Sequence, residues 1–228
     1  MGPPSPPRCQ EMEREAKPSP LYPCTPENPL EVEEVMQCYV YDSQGLGVTF
    51  SSLFPQHGTT IVILVRHFLC YACQEYVQDL SRIPENLLEE ANVRLVVIGQ
   101  SMPRHIKRFR ELTGYRYELF VDPDRDIYKA LELKMGEDAD KIYKSPHVHC
   151  GLWWGVARGL WRAMWSESFD FQGDPKQQGG ALVLGPGGRV LFSHRDEAVL
   201  DHTPINRLLA VAGIPPVDFT HRHMVKHV

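Results

Sequence analysis

No stretch of this sequence is long and apolar enough to span a bilayer, so no membrane span is expected. A basic excess is also missing. Lys and Arg number 24 against 29 Asp and Glu, a net charge of -5, and a nucleic-acid partner would call for a basic face. The densest cationic stretch, Arg104, Lys107, Arg108 and Arg110, reads as the solvated side of a helix. The opening Met1-Gly2-Pro3-Pro4-Ser5-Pro6-Pro7 has no apolar h-region, so no secretory leader is expected. Pro6 also stands where a myristoylation signal needs Ser or Thr. There is no internal repeat. The expected address is the cytoplasm. There, the six cysteines (Cys9, Cys24, Cys38, Cys70, Cys73 and Cys150) are not expected to build a disulfide framework. A close pair among them reads instead as catalytic or metal-binding.

What is present divides into two parts. Residues 1–30 are proline-rich, with few large apolar side chains, and cannot bury enough surface to offset the entropy of ordering. A disordered tail is expected there, followed by one folded domain over 31–228. Cys38 to Tyr41 has strand character, Asp42 to Gly45 is a turn, and Val48 to Phe50 returns as a second strand. Ser51 or Ser52 is the expected cap of a short turn at Leu53-Phe54. Thr59 to Val65 is apolar on both faces and rich in β-branched residues, which suits a central strand covered by helices.

From Tyr71 to Glu90 apolar residues recur at threes and fours (Val77, Leu80, Ile83, Leu87, Leu88), with Pro84 bending or dividing the helix. Val93 to Ile98 is a second buried strand. Pro103 to Leu112 is a helix ended by Gly114. Leu119 to Val121 is a third strand, and Asp122-Pro123-Asp124 opens another helix. That order implies parallel strands with right-handed crossovers. A stretch with Trp153, Trp154, Trp161 and Trp165 interrupts it, and Leu152 to Met164 reads as one helix. A hairpin follows (Ala181 to Leu184, then Val190 to Phe192), and a closing helix runs from Pro204 to Ala212. The expected fold is α/β and thioredoxin-like: a central mixed sheet flanked by helices, with a Trp-rich insertion before the C-terminal β-hairpin.

Cys70-Tyr71-Ala72-Cys73 falls at the junction of the first buried strand and its helix. A helix N-terminus offers unpaired N–H groups and partial positive charge, which favour a thiolate. Thiolate is the reactive form of cysteine, and such a setting lowers its pKa below the free value of ~8.5. Residues three apart on a helix share a face at a spacing a disulfide can bridge. Cys70 is thus the expected attacking thiolate and Cys73 the resolving thiol. Arg66 and His67, just before the pair, are candidates to hold positive charge near the thiolate or to hydrogen-bond a substrate. The same residues also fit a plain solvated strand end. Two readings of the cysteines compete with redox chemistry. One is a zinc site completed by His147 and Cys150 from Ser145-Pro146-His147-Val148-His149-Cys150. The other is a pair of buried, inert thiols.

The run Val65 to Tyr76, with Val97-Ile98-Gly99-Gln100, Leu112 to Tyr115, Phe169 to Pro175, Gln177 to Gly180, Ser193 to Asp196, Asp201-His202 and Pro204-Ile205-Asn206, resembles the C-type branch of the peroxiredoxin-like 2 family. These are AhpC/TSA antioxidant-domain proteins, and the likeness covers roughly residues 35–228. It implies a thioredoxin-like fold and a thiol-dependent antioxidant oxidoreductase working through Cys70 and Cys73. The substrate would be a peroxide or disulfide. No cofactor would be bound, and reducing equivalents would come from thioredoxin or glutathione. A sister branch looks like a reductase of prostaglandin endoperoxides. His67 and Ile63 occupy positions where typical peroxiredoxins carry Thr and Pro, so the hydroxyl that orients a peroxide is missing. Gly179-Gly180 stands where thioredoxins have a cis-proline, a place where backbone can approach substrate. Arg195 is a second candidate for activating charge. The alternative function is a redox-linked regulatory protein on the same scaffold, contacting signalling proteins with little or no catalysis.

Overall fold

The structure, a computed structural model, describes residues 32–136, 143–148 and 173–220. The expected tail, the tryptophans and the Leu152–Met164 helix lie outside the described residues, as do Cys9, Cys24, His149 and Cys150.

Seven strands form one mixed sheet. They are β1 (Tyr39–Tyr41), β2 (Gly47–Thr49), β3 (Thr59–Val65), β4 (Val93–Gly99), β5 (Glu118–Val121), β6 (Gly180–Leu184) and β7 (Val190–Arg195). Their spatial order is β2-β1-β5-β4-β3-β6-β7. β3, β4 and β5 run parallel, while β1, β2, β6 and β7 pair antiparallel with their neighbours. This is the α/β thioredoxin-like arrangement expected from the strand and helix order. The helices are α1 (Val32–Met36), α2 (Tyr71–Leu80), α3 (Glu85–Glu90), α4 (Ile106–Thr113), α5 (Asp126–Ala130) and α6 (Ile205–Val211).

The alternation of β3 and β4 explains the two-layered core. Ile61, Ile63, Val65, Leu95 and Val97 face α2, α4 and α6 in one apolar cluster. Val62, Leu64, Val96 and Ile98 face α1 and α5 in the other. Strands apolar on both faces are stable only when covered on both sides. Burying each such side chain contributes about 1.5–3 kcal/mol, so β3 is a firm support for the residues that follow it.

Pro84 divides the long helical pattern: α2 ends at Leu80 and α3 begins at Glu85 with Pro84 as its N-cap. Gly114 closes α4 at φ 68°, a left-handed conformation that costs glycine little. Three local details differ from expectation. α1 precedes β1, where the sequence pattern gives no strong period. The turn after β2 is a 3-10 helix over Phe50–Leu53 with Thr49 at its N-cap, not a turn capped by Ser51 or Ser52. The Ser52 hydroxyl instead donates back to the Thr49 carbonyl at 2.6 Å. The helix expected from Pro103 begins as a 3-10 turn and becomes α-helical only at Ile106.

At the C-terminal ends of β3 and β4 the hydroxyl of Tyr128 sits 2.7 Å from the Val65 carbonyl and 3.0 Å from that of Ile98. Tyr128 is fully buried. It fixes the strand ends from which residues 66–70 depart. No helix among the described residues is long and apolar enough to cross a membrane.

Candidate active site

Cys70 is the N-cap of α2, extended at φ -68° and ψ 115°. Its amide donates to the His67 carbonyl at 3.1 Å, and its carbonyl accepts from the Gln74 amide at 3.0 Å. The Gln74 side chain in turn donates to the Phe68 carbonyl at 2.7 Å. A tight turn therefore presents the Cys70 sulfur at the positive end of a ten-residue helix. Cys73 lies in the first turn of that helix, and both thiols are buried, Cys70 at 5% exposure and Cys73 at 0%.

Arg66 leaves the end of β3 and folds back over the pair. Its Nη1 donates to the Cys70 sulfur at 3.7 Å, Nε donates to the Gln177 carbonyl at 3.2 Å, and Nη2 donates to the Pro175 carbonyl. The Arg66 carbonyl accepts from the Gln100 side chain. That amide also holds the Asp174 backbone, at 2.9 and 3.0 Å. A guanidinium 7% exposed keeps its charge, and burial makes a neighbouring anion valuable to it.

The thiols divide accordingly. The Cys73 thiol donates to the Cys70 sulfur, and this, with the Arg66 charge, outweighs burial and brings the Cys70 pKa down to about 6. Cys73 moves the opposite way: burial and the adjacent Cys70 hold it protonated, well above the ordinary thiol range. One sulfur is an anion near neutrality and its neighbour is a thiol.

His67 does not carry the charge that its position suggests. Burial and the Arg66 guanidinium lower its pKa to about 4, so the cation beside the thiolate is Arg66, and His67 contributes its carbonyl to the turn. Arg195 is also displaced from the role considered for it. It pairs with Glu132 at 3.4 Å on the surface, because β7 ends there with the side chain 41% exposed. Gly179 lies hard against β3: a Cβ there would fall 2.2 Å from the Leu64 carbonyl and 3.0 Å from the Asp196 carboxylate. Glycine is needed there for backbone packing, with Asp196 filling the space beside it.

Four residues at the site were not among the candidates that the sequence offered for it. His202 lies with Nε2 3.9 Å from the Cys73 sulfur, 129 positions away in the chain. Its ring stacks on Tyr76 at 4.7 Å, and the Tyr76 hydroxyl donates to the Thr203 carbonyl at 2.6 Å. Burial, chiefly, with Arg66 nearby, takes the His202 pKa down to about 3, so the ring is neutral. Asp79, on α2, holds His147 at 2.9 Å. The His147 Nε2 accepts the Ile205 amide at 3.1 Å, so its single proton sits on Nδ1 and goes to Asp79. With both nitrogens engaged, His147 is not placed to be a zinc ligand, and among the described residues no cluster has the makings of a metal site. Asp196, 4% exposed, is raised well above the carboxylate range by burial first and by Asp201 second. Tyr76 was the one with a local signal, three residues after Cys73 on the same helix face; the others meet only through the tertiary fold.

Known proteins share both the sequence and the fold. A family model described as AhpC/TSA antioxidant enzyme matches residues 79–198, starting just after the two cysteines. Peroxiredoxin-like 2C of Bos taurus is 52% identical over 194 residues, 85% of each chain. Its Mus musculus counterpart is 50% identical over the same share. Among solved structures, peroxidoxin BcpB from Mycobacterium tuberculosis superposes with a TM-score of 0.53 at 14% identity, covering 77% of this chain and 91% of that one.

Proposed function

The chain belongs to the AhpC/TSA antioxidant enzyme family, within its peroxiredoxin-like 2 branch, and from that premise we propose that it is a dithiol reductase acting on peroxides or small disulfides. The observation that carries the reading is the Arg66–Cys70–Cys73 arrangement. A thiolate at a helix N-terminus has a guanidinium at 3.7 Å, and a protonated thiol lies one helical turn away.

The chemistry follows from that pairing. The Cys70 thiolate attacks one peroxide oxygen, the O–O bond breaks, and the alcohol or water departs after taking a proton. Cys70 is left as a sulfenic acid. Cys73 then attacks the Cys70 sulfur, hydroxide leaves as water with the Cys73 proton, and an internal disulfide closes. Two thiol equivalents from a thioredoxin-type protein or from glutathione reopen it. The cytoplasm, with its reducing thiol pool, is the compartment that suits this cycle.

The experiment is peroxide and disulfide turnover with each cysteine replaced. Cys70→Ser abolishes turnover, and Cys73→Ser lets a sulfenate or mixed disulfide accumulate at Cys70. Unchanged turnover in both variants contradicts the reading.

A second reading, a redox-responsive regulatory protein, is favoured by two observations: both sulfurs are almost fully buried, and His67 supplies no hydroxyl where a peroxide would be oriented. Under it, oxidation by dilute peroxide changes partner binding without sustained turnover. Partner binding that is identical for the reduced and oxidised protein argues against it.

A further inference from the structure

The resolving step needs something that Cys73 itself lacks. In the resting pair its proton is donated to the Cys70 thiolate, and once Cys70 is oxidised that acceptor is gone. Negative charge then develops on a fully buried sulfur, where the absence of water makes an unsupported anion costly. The imidazole of His202, with Nε2 3.9 Å from that sulfur, is in reach of it.

The ring is prepared to donate. Its Nδ1 is buried without a hydrogen-bond partner among the described residues. The tautomer that places the single proton on Nε2 wastes no donor, whereas the other buries an N–H unpaired. The ring is also fixed. Tyr76 stacks against one face at an interplanar angle of 16°, and its hydroxyl pins the next residue through the Thr203 carbonyl. Asp79 and His147 anchor the amide of Ile205, three residues on. The helix that carries Cys73 therefore holds the loop that carries His202 at two points.

We propose that His202 is a catalytic hydrogen-bond donor to the resolving thiol, its Nε2–H stabilising the anion that forms on Cys73 as that sulfur attacks Cys70 and again as it leaves when the disulfide is reduced. The inference rests on the dithiol reading above. Proton balance is unchanged: the Cys73 proton ends on the hydroxide leaving Cys70, and His202 gives up none. The low pKa of its ring, about 3, keeps it a neutral donor across the working pH range, as a preorganised dipole should be.

The test uses the full chain and methyl methanethiosulfonate, an oxidant small enough to reach a buried thiol. The Cys70 thiolate attacks its sulfenyl sulfur, the S–S bond breaks, and methanesulfinate leaves. Cys73 then attacks Cys70, and methanethiolate leaves with the Cys73 proton. Quench-flow mass spectrometry of the Cys70–Cys73 peptide follows both steps. His202→Leu is expected to leave adduct formation at Cys70 within about twofold and to slow closure about tenfold or more, while His202→Gln, which retains a side-chain N–H, restores most of the rate. Tyr76→Phe, which frees the Thr203 carbonyl but keeps the stacked ring, gives a smaller slowing and serves if His202→Leu does not fold. Closure at the wild-type rate in the folded His202→Leu protein, or in Tyr76→Phe if His202→Leu does not fold, overturns the inference and leaves the dithiol reading intact. Absence of any internal disulfide in the wild type overturns both.

Discussion

The guanidinium of Arg66 stands 3.7 Å from the sulfur of Cys70 while its other nitrogens donate to the carbonyls of Gln177 and Pro175. One side chain thus joins the end of β3, the loop entering β6 and the thiolate. Arg66→Met keeps the length and removes the charge. It is expected to raise the Cys70 inflection by about one unit or more, since a hydrogen bond to a charged group contributes about 1.5–3 kcal/mol and one unit is about 1.4 kcal/mol. Arg66→Lys should restore only part of the shift, because a point charge cannot span three acceptors. Iodoacetamide kinetics across pH, read peptide by peptide, check both.

The Cys73 thiol is the largest influence lowering the Cys70 pKa. Cys73→Ser still presents an O–H to the thiolate, whereas Cys73→Ala presents nothing. The alanine variant should therefore titrate about 1–2 units higher than the serine variant. Identical inflections in the two would show that the helix and Arg66 alone set the thiolate.

Gly179 tests the packing beneath the site. A Cβ at 2.2 Å from the Leu64 carbonyl and 3.0 Å from Asp196 cannot be accommodated without moving β6 or the carboxylate. Gly179→Ala is expected to destabilise the fold by about 1–3 kcal/mol and to reduce Cys70 reactivity, as chemical denaturation and alkylation would register. Gly45, where a Cβ meets nothing within 4 Å but φ is +80°, is the control for strain without crowding.

Asp196 makes stability depend on pH. Its folded pKa is raised well above the ordinary carboxylate value by burial, so the native state binds more protons than the unfolded chain from about pH 4 upward. Stability from this group is present at acid pH and is lost as pH rises toward the folded pKa. Asp196→Asn, neutral at every pH, should raise the melting temperature at pH 7.5 relative to wild type and give no gain near pH 4. A gain that is equal at both pH values would contradict the assignment.

Local pattern carried much of the fold. The β-branched run Thr59–Val65 is β3 as read, Pro84 divides α2 from α3, and Gly114 ends α4. The placement of Cys70 at a strand-to-helix junction was also legible, because a strand period of two gives way there to a helical one. What could not be read is long-range. His202 meets Cys73 across 129 positions, and Asp79 meets His147 across 68; no spacing rule reports such contacts. The choice between Arg66 and His67 as the cation turned on burial, which leaves the guanidinium charged and neutralises the imidazole. α1 was missed because its five residues are too few for a periodic signal.

The most direct single measurement is the pH dependence of Cys70 alkylation in the wild-type protein, followed at the Cys70 peptide by mass spectrometry. An inflection near pH 6 is expected if Arg66 and Cys73 hold a thiolate ready to attack. An inflection at the ordinary thiol value of ~8.5 or above would contradict an activated Cys70, and with it the dithiol reductase.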